Sequence, residues 1–172
     1  MIRELDVNYR IYNYDEDRKP AMYAEPGDTI VFNAEDFVGN ALTDETVLKS
    51  SLVADGFVCQ PCNGDVYING AQPGDTLKVT IENIEITAAE GTIQLYPPDF
   101  EVYGKYLEKE ETMKVPIKNG KAVFFGGKLR IPIKPMVGAI APCPHGGVED
   151  TVSPVTYGEN MDCKRLTEGS SF

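Results

Sequence analysis

The pattern that most limits how this chain folds is an alternation of apolar and polar residues in short runs, each closed by turn-forming residues. A period of two places successive side chains on opposite faces, as in a strand with one buried side. Residues 7–14, 29–32, 76–81, 84–86, 92–96, 114–117, 121–125 and 129–133 read this way and favour Val, Ile, Thr, Tyr and Phe. Asn119-Gly120 falls between two of these runs, where a type I′ hairpin needs positive φ at both central positions. Gly126-Gly127 supplies the next turn, so three strands follow one another as a meander. Helical signals are confined to 44–52 and to 99–111, the latter after Pro97-Pro98. The expected class is all-β.

One stretch repeats. Ala24-Glu-Pro-Gly-Asp-Thr-Ile-Val-Phe recurs as Ala71-Gln-Pro-Gly-Asp-Thr-Leu-Lys-Val. In each copy Pro fixes φ, Gly permits positive φ and Asp can bond nearby backbone amides, so a turn delivers the chain into a strand. Two copies are too few for a solenoid, and a shared turn solution explains them. With 172 residues, 42% hydrophobic and 25% charged, the chain can bury a core of its own, and it is expected to form a single β-rich domain over 1–172.

A formal net charge of −11 repels phosphate backbones and anionic lipid, so neither nucleic acid nor a membrane is expected as a partner. There is no apolar run long enough to span a bilayer and no leader-like start, which points to the cytoplasm, where disulfides are rare. Gly-rich phosphate-binding and HExxH motifs are absent.

Three groups of residues carry possible chemistry. Asn33-Ala-Glu-Asp-Phe-Val-Gly-Asn40 follows a predicted strand, and its carboxylates and amide suit a hard cation, a bound water or a solvated loop. Tyr157-Gly-Glu-Asn-Met-Asp162 offers an Asn and an Asp for a metal or polar substrate; alternatively Asp162 N-caps a short helix through Lys164 and Arg165. Cys59, Cys62, Cys143 and His145 resemble a zinc ligand set, although the Cys143-Pro-His145 spacing is short and isolated thiols fit equally. His145, the sole histidine, is equally a polar loop residue.

Taken in order, several segments resemble the acetamidase/formamidase family. They are Ala24-Glu-Pro-Gly-Asp-Thr, Glu35-Asp-Phe-Val-Gly-Asn40 and Asn63-Gly-Asp-Val-Tyr-Ile-Asn-Gly-Ala-Gln-Pro-Gly-Asp-Thr-Leu77, the last similar to the family's "TGPIYVEGAEPGDTL". Val115-Pro-Ile-Lys-Asn-Gly-Lys and Ile131-Pro-Ile-Lys-Pro-Met-Val-Gly-Ala-Ile140 follow. Asn160-Met-Asp-Cys-Lys-Arg-Leu-Thr-Glu-Gly-Ser170 is similar to "GGNMDCKELxxGS". The family's "HGGNMD" reads Tyr157-Gly-Glu-Asn-Met-Asp162 here, so its histidine position is a tyrosine, and the family's later "LYLPV" and "GDGE" segments do not occur.

The resemblance implies a β-sandwich, jelly-roll-like, with short helices and long functional loops, and hydrolysis of a short aliphatic amide such as formamide or acetamide with release of ammonia. Asp36 and Asp162 are then the candidates for activating water, or for holding a calcium, magnesium or zinc ion that does so. Asn40 and Asn160 are the candidates for binding the amide. The alternative is a catalytically inactive binding or assembly module on the same scaffold. Strand edges left open by the absent segments are expected to be covered by a homo-oligomer or by a complementary C-terminal chain.

Overall fold

The computed structural model describes residues 1–95 and 104–172. Its strands, in chain order, are β1 (Ile2–Leu5), β2 (Arg10–Ile11), β3 (Asn13–Asp15), β4 (Met22–Ala24), β5 (Thr29–Phe32), β6 (Cys62–Asn63) and β7 (Val66–Ile68). There follow β8 (Glu90–Leu95), β9 (Glu111–Lys118), β10 (Lys121–Phe124), β11 (Leu129–Pro132), β12 (Ala139–Ile140), β13 (Val148–Asp150) and β14 (Glu159–Asn160). A short α-helix, α1 (Lys49–Ala54), lies between β5 and β6. The all-β class expected from the period-two pattern is what the structure shows.

The chain divides into two compact units. The first comprises 1–39, 58–84 and 136–172. Its strands pair two by two: β1 with β5 and β4 with β7 in parallel, and β2–β6, β3–β13 and β12–β14 antiparallel. Parallel pairing of β4 with β7 carries Tyr23 against Tyr67, their ring centroids 5.4 Å apart. Leu5, Ile11, Tyr14, Ala24, Val38, Ile81 and Leu166 are buried. Full burial of a side chain such as Leu5 contributes about 1.5–3 kcal/mol.

The second unit comprises 40–57 and 85–135 and is built on the meander β8–β9–β10–β11. Asn119 and Gly120 have φ of 51° and 68°, the left-handed pair that the hairpin turn requires. The β9–β10 ladder stops after Ile117↔Ala122. Pro116, at the next position, has no N–H to continue it, and the Lys114 N–H instead donates to the Glu45 carboxylate at 3.2 Å. A cleft of about 480 Å³ opens there, lined in part by Glu45, Pro116, Lys118, Phe124 and Arg130. Register puts Ile93, Met113, Ile117, Ala122, Phe124, Leu129 and Ile131 on one face of the meander. Ile93, Leu129 and Ile131 on that face remain 38–46% exposed.

Departures from the sequence reading have specific structural causes. The run 7–14 becomes strand only from Arg10, because residues 6–9 form a turn closed by a Tyr9 N–H to Asp6 carbonyl bond of 3.1 Å, and it splits at Tyr12 into β2, which pairs with β6, and β3, which pairs with β13. The run 76–81 forms no regular strand; it holds Ser170 to Phe172 through an isolated bridge at Thr80↔Ser171 and bonds such as Val79 N–H to the Phe172 carbonyl, 2.9 Å. The run 84–86 is irregular. The first helix starts at Lys49, not at residue 44, since Asp44 turns its carboxylate onto the Thr46 N–H at 2.8 Å. Of the second predicted helix, 99–103 lies outside the described residues, as does Tyr96 of the run 92–96, and from Lys105 the chain is turn, bend and then β9.

Candidate functional site

Asp36 lies in the loop that leaves β5. Asn33 anchors the loop, its N–H donating to the Leu5 carbonyl at 3.1 Å and its side-chain amide to Glu4 at 2.7 Å. Glu35 pairs with Arg10 at 3.2 Å through Oε1, whereas its buried Oε2 has no hydrogen-bond partner. Asp36 Oδ1 accepts the Val38 N–H at 3.1 Å, and the Asp36 carbonyl accepts the Gly39 N–H at 2.9 Å. These bonds fold the loop over fully buried Val38. Asn40, which opens the second unit, is exposed with φ of 60°, a left-handed conformation that Asn tolerates.

Asn160 and Asp162 lie on and just beyond β14. Gly158, with φ of 134°, lets this strand approach β12, because a Cβ there would sit 2.5 Å from the Ile140 carbonyl oxygen. The Asp162 N–H donates to the Gly138 carbonyl at 3.0 Å, and a Cβ on Gly138 would lie 3.0 Å from Asp162 Oδ1. The two glycines therefore make room for the loop and its carboxylate. Asp162 caps no helix: residues 163–166 form a single turn, closed by a 2.9 Å bond from the Leu166 N–H to the Cys163 carbonyl. The N-cap reading is thus corrected, and Asp162 remains an exposed side chain on a left-handed backbone, φ 47°.

Gln60 joins these two loops, and the sequence reading missed it. Its N–H donates to the Phe37 carbonyl at 2.7 Å, beside Asp36, and its Oε1 accepts from Asn160 Nδ2 at 3.3 Å. Asn160 Nδ2 also donates to the Val152 carbonyl at 2.8 Å. Fully buried Thr151 donates to the Gln60 carbonyl at 2.6 Å. The Asp36 loop and the Asn160 loop are thereby tied to one residue. In the sequence, Gln60 lay hidden inside a CxxC pattern that drew attention to the thiols.

Those thiols are free. Cys62 Sγ accepts from the Tyr14 hydroxyl at 3.6 Å, and burial raises both groups above their ordinary values. Cys143 is exposed, and its thiol is raised by partial desolvation and then by Asp65, Asp15 and Glu16. His145 is exposed, with Nδ1 3.2 Å from Glu16. Among the described residues, no group of three or more His, Cys, Asp or Glu side chains is gathered to hold a metal ion.

Glu159 is the anomaly of the region. It is fully buried, has φ of 72°, and neither carboxylate oxygen has a hydrogen-bond partner. Desolvation raises its carboxyl above the ordinary range, followed by repulsion from Asp150 and Glu149.

A similar scaffold is found in solved structures described as acetamidases. An acetamidase from Bacillus halodurans aligns with 98% of this chain at 27% identity and a TM-score of 0.91. A protein described as a predicted acetamidase/formamidase, from the thermophile Thermoanaerobacter tengcongensis, aligns with 99% at 29% identity and a TM-score of 0.90. An acetamidase from Yersinia enterocolitica, at 23% identity and a TM-score of 0.84, shares the fold. The chain thus carries the acetamidase/formamidase fold over nearly all of its residues and spans 55% of the length of each of these structures. No family model matches the sequence, and no curated protein matches it. Among the described residues no helix is long and apolar enough to cross a membrane.

Proposed function

We propose that this chain contributes to a hydrolase of short aliphatic amides, with formamide or acetamide as substrate and ammonia as product. The observation that carries the reading is the likeness to the Bacillus halodurans acetamidase, at a TM-score of 0.91 over 98% of the chain. Amide hydrolysis needs a polarised carbonyl, an activated water and a proton for the leaving nitrogen. In this reading Asp36 and Asp162 activate the water. Asn160, whose Nδ2 is bound to Val152 and Gln60, offers Oδ1 to the substrate NH₂, and Asn40 is the other candidate for binding the amide. The exposed apolar face of the meander would be covered by a complementary chain or by a second copy.

The competing reading is an inactive binding or assembly module. It is favoured by the cleft of about 480 Å³, whose lining includes none of Asp36, Asn40, Asn160 or Asp162. Ammonia release from formamide and acetamide separates the two, measured for the pure chain and for the chain mixed with the segment equivalent to the rest of the acetamidase fold. In the amidase reading at least one preparation turns over, and Asp36→Asn or Asp162→Asn lowers kcat/KM by about 10²–10⁴-fold. No turnover in either preparation overturns it.

A further inference from the structure

Glu159 needs an explanation that the amide chemistry does not supply. It forms half of β14, which is held to β12 by two rungs, Ala139↔Asn160 and Ile140↔Glu159. Its side chain is completely enclosed and both oxygens lack a donor. A carboxylate in that position would be a buried charge with no compensation, so the neutral acid is the form that the packing tolerates.

Among the described residues, the charged groups acting on it oppose ionisation. Glu149 and Asp150 on β13 repel a negative charge at Glu159. Tyr14 on β3, Cys62 on β6 and Tyr157 in the preceding turn are in turn pushed upward by Glu159, so they share its field and offer no positive charge. From β12 the paired residue is Ile140, which is apolar. The backbone adds a second constraint. Glu159 is held at φ of 72°, next to a Gly158 that closely approaches the Ile140 carbonyl, so the enclosed side chain and the seating of β14 go together.

We propose that Glu159 is a proton-gated pin: protonated, it seats β14 on β12 and fixes Asn160 and Asp162; when its proton passes to solvent, the carboxylate leaves the interior and the loop lifts away. The device is independent of amidase activity and holds whether the chain is an enzyme or a binding module. Its sign follows from linkage. The folded carboxyl holds its proton more tightly than the unfolded one, so the contribution is complete at acid pH and is lost as pH rises through the folded value.

The test uses the full chain, ¹³C-labelled at glutamate carboxyls, alongside Glu159→Gln, a neutral side chain of the same shape. Hydrogen exchange of the Asp162 amide, which donates to Gly138, reports loop seating once corrected for the intrinsic rate. Protection in the wild type is expected to be lost as pH rises from about 5.5 to about 8.5 and to stay level in the variant. Equal pH dependence in the two proteins overturns the proposal. So does a Glu159 carboxyl resonance that titrates at or below the ordinary glutamate value, a reading that needs only the wild type should the variant fail to fold.

Discussion

The two Pro-Gly-Asp stretches share one turn and reach different ends. At 25–28 the Asp28 N–H donates to the Glu25 carbonyl at 2.9 Å, Gly27 has φ of 89°, and Asp28 Oδ2 accepts the Glu25 N–H at 3.1 Å. At 72–75 the same three features recur: Asp75 N–H to the Gln72 carbonyl at 3.0 Å, Gly74 at 98°, and Gln72 N–H to Asp75 Oδ2 at 2.8 Å. Beyond the turns the likeness stops. The first leads into β5, which pairs along its whole length with β1, from Ile2↔Thr29 to Leu5↔Phe32. The second leads into Thr76-Leu77-Lys78, outside any strand, with Leu77 52% exposed. Turn chemistry is therefore local, while the fate of the following segment is set by whether a partner strand is within reach.

The largest expected difference between the copies lies at their first residue. Ala24 is 1% exposed within β4, whereas Ala71 is exposed. Ala24→Leu forces extra methylenes into packed surroundings and should cost up to about 3 kcal/mol, while Ala71→Leu stays within about 0.5 kcal/mol. Urea unfolding of both variants checks this. Similar losses at the two positions would mean that the copies are not as unlike as their burial indicates.

The glycines should behave alike. A Cβ at Gly27 or Gly74 meets nothing within 4 Å, so substitution by Ala costs only the left-handed backbone, about 1–2 kcal/mol at each site. A marked inequality between Gly27→Ala and Gly74→Ala would show that β5 pairing feeds back on its turn, against the view of the turn as a self-contained unit.

The same division between local and distant causes decides what the sequence revealed. The Asn119-Gly120 hairpin, the meander and both Pro-Gly-Asp turns were legible because a few adjacent residues specify each of them. The split into β2 and β3 turned on their separate partners β6 and β13, and the fate of 76–81 on pairing with Ser170 to Phe172, some 90 residues away in sequence. At the site, Asn160 and Asp162 were visible through the loop's resemblance to a known motif. Gln60 was not, since its role rests on a carbonyl at Phe37 and an amide at Asn160 that no local pattern announces. Nor was Glu159, because its isolation comes from the packing of strands distant in sequence.

The smallest expected effect separates the two aspartates by their distant partners. Asp28 binds the Met1 ammonium at 2.6 Å and Arg3 at 2.7 Å in addition to its own turn, whereas the Asp75 side chain is held by the Gln72 N–H. The Met1 ammonium first, then Arg3 and the Glu25 N–H, hold the Asp28 carboxyl well below the usual carboxylate range. A folded value below the unfolded one gives stability that is complete above about pH 4, the ordinary carboxylate region, and is lost as pH falls through the lower folded value. Wild type and Asp28→Asn should therefore differ most near neutral pH and converge on acidification below about pH 4, in urea midpoints followed from pH 6 to 2. A gap that stays constant across that range would detach Asp28 from Met1 and Arg3. The first turn would then be no more tied to β1 than the second is to any strand.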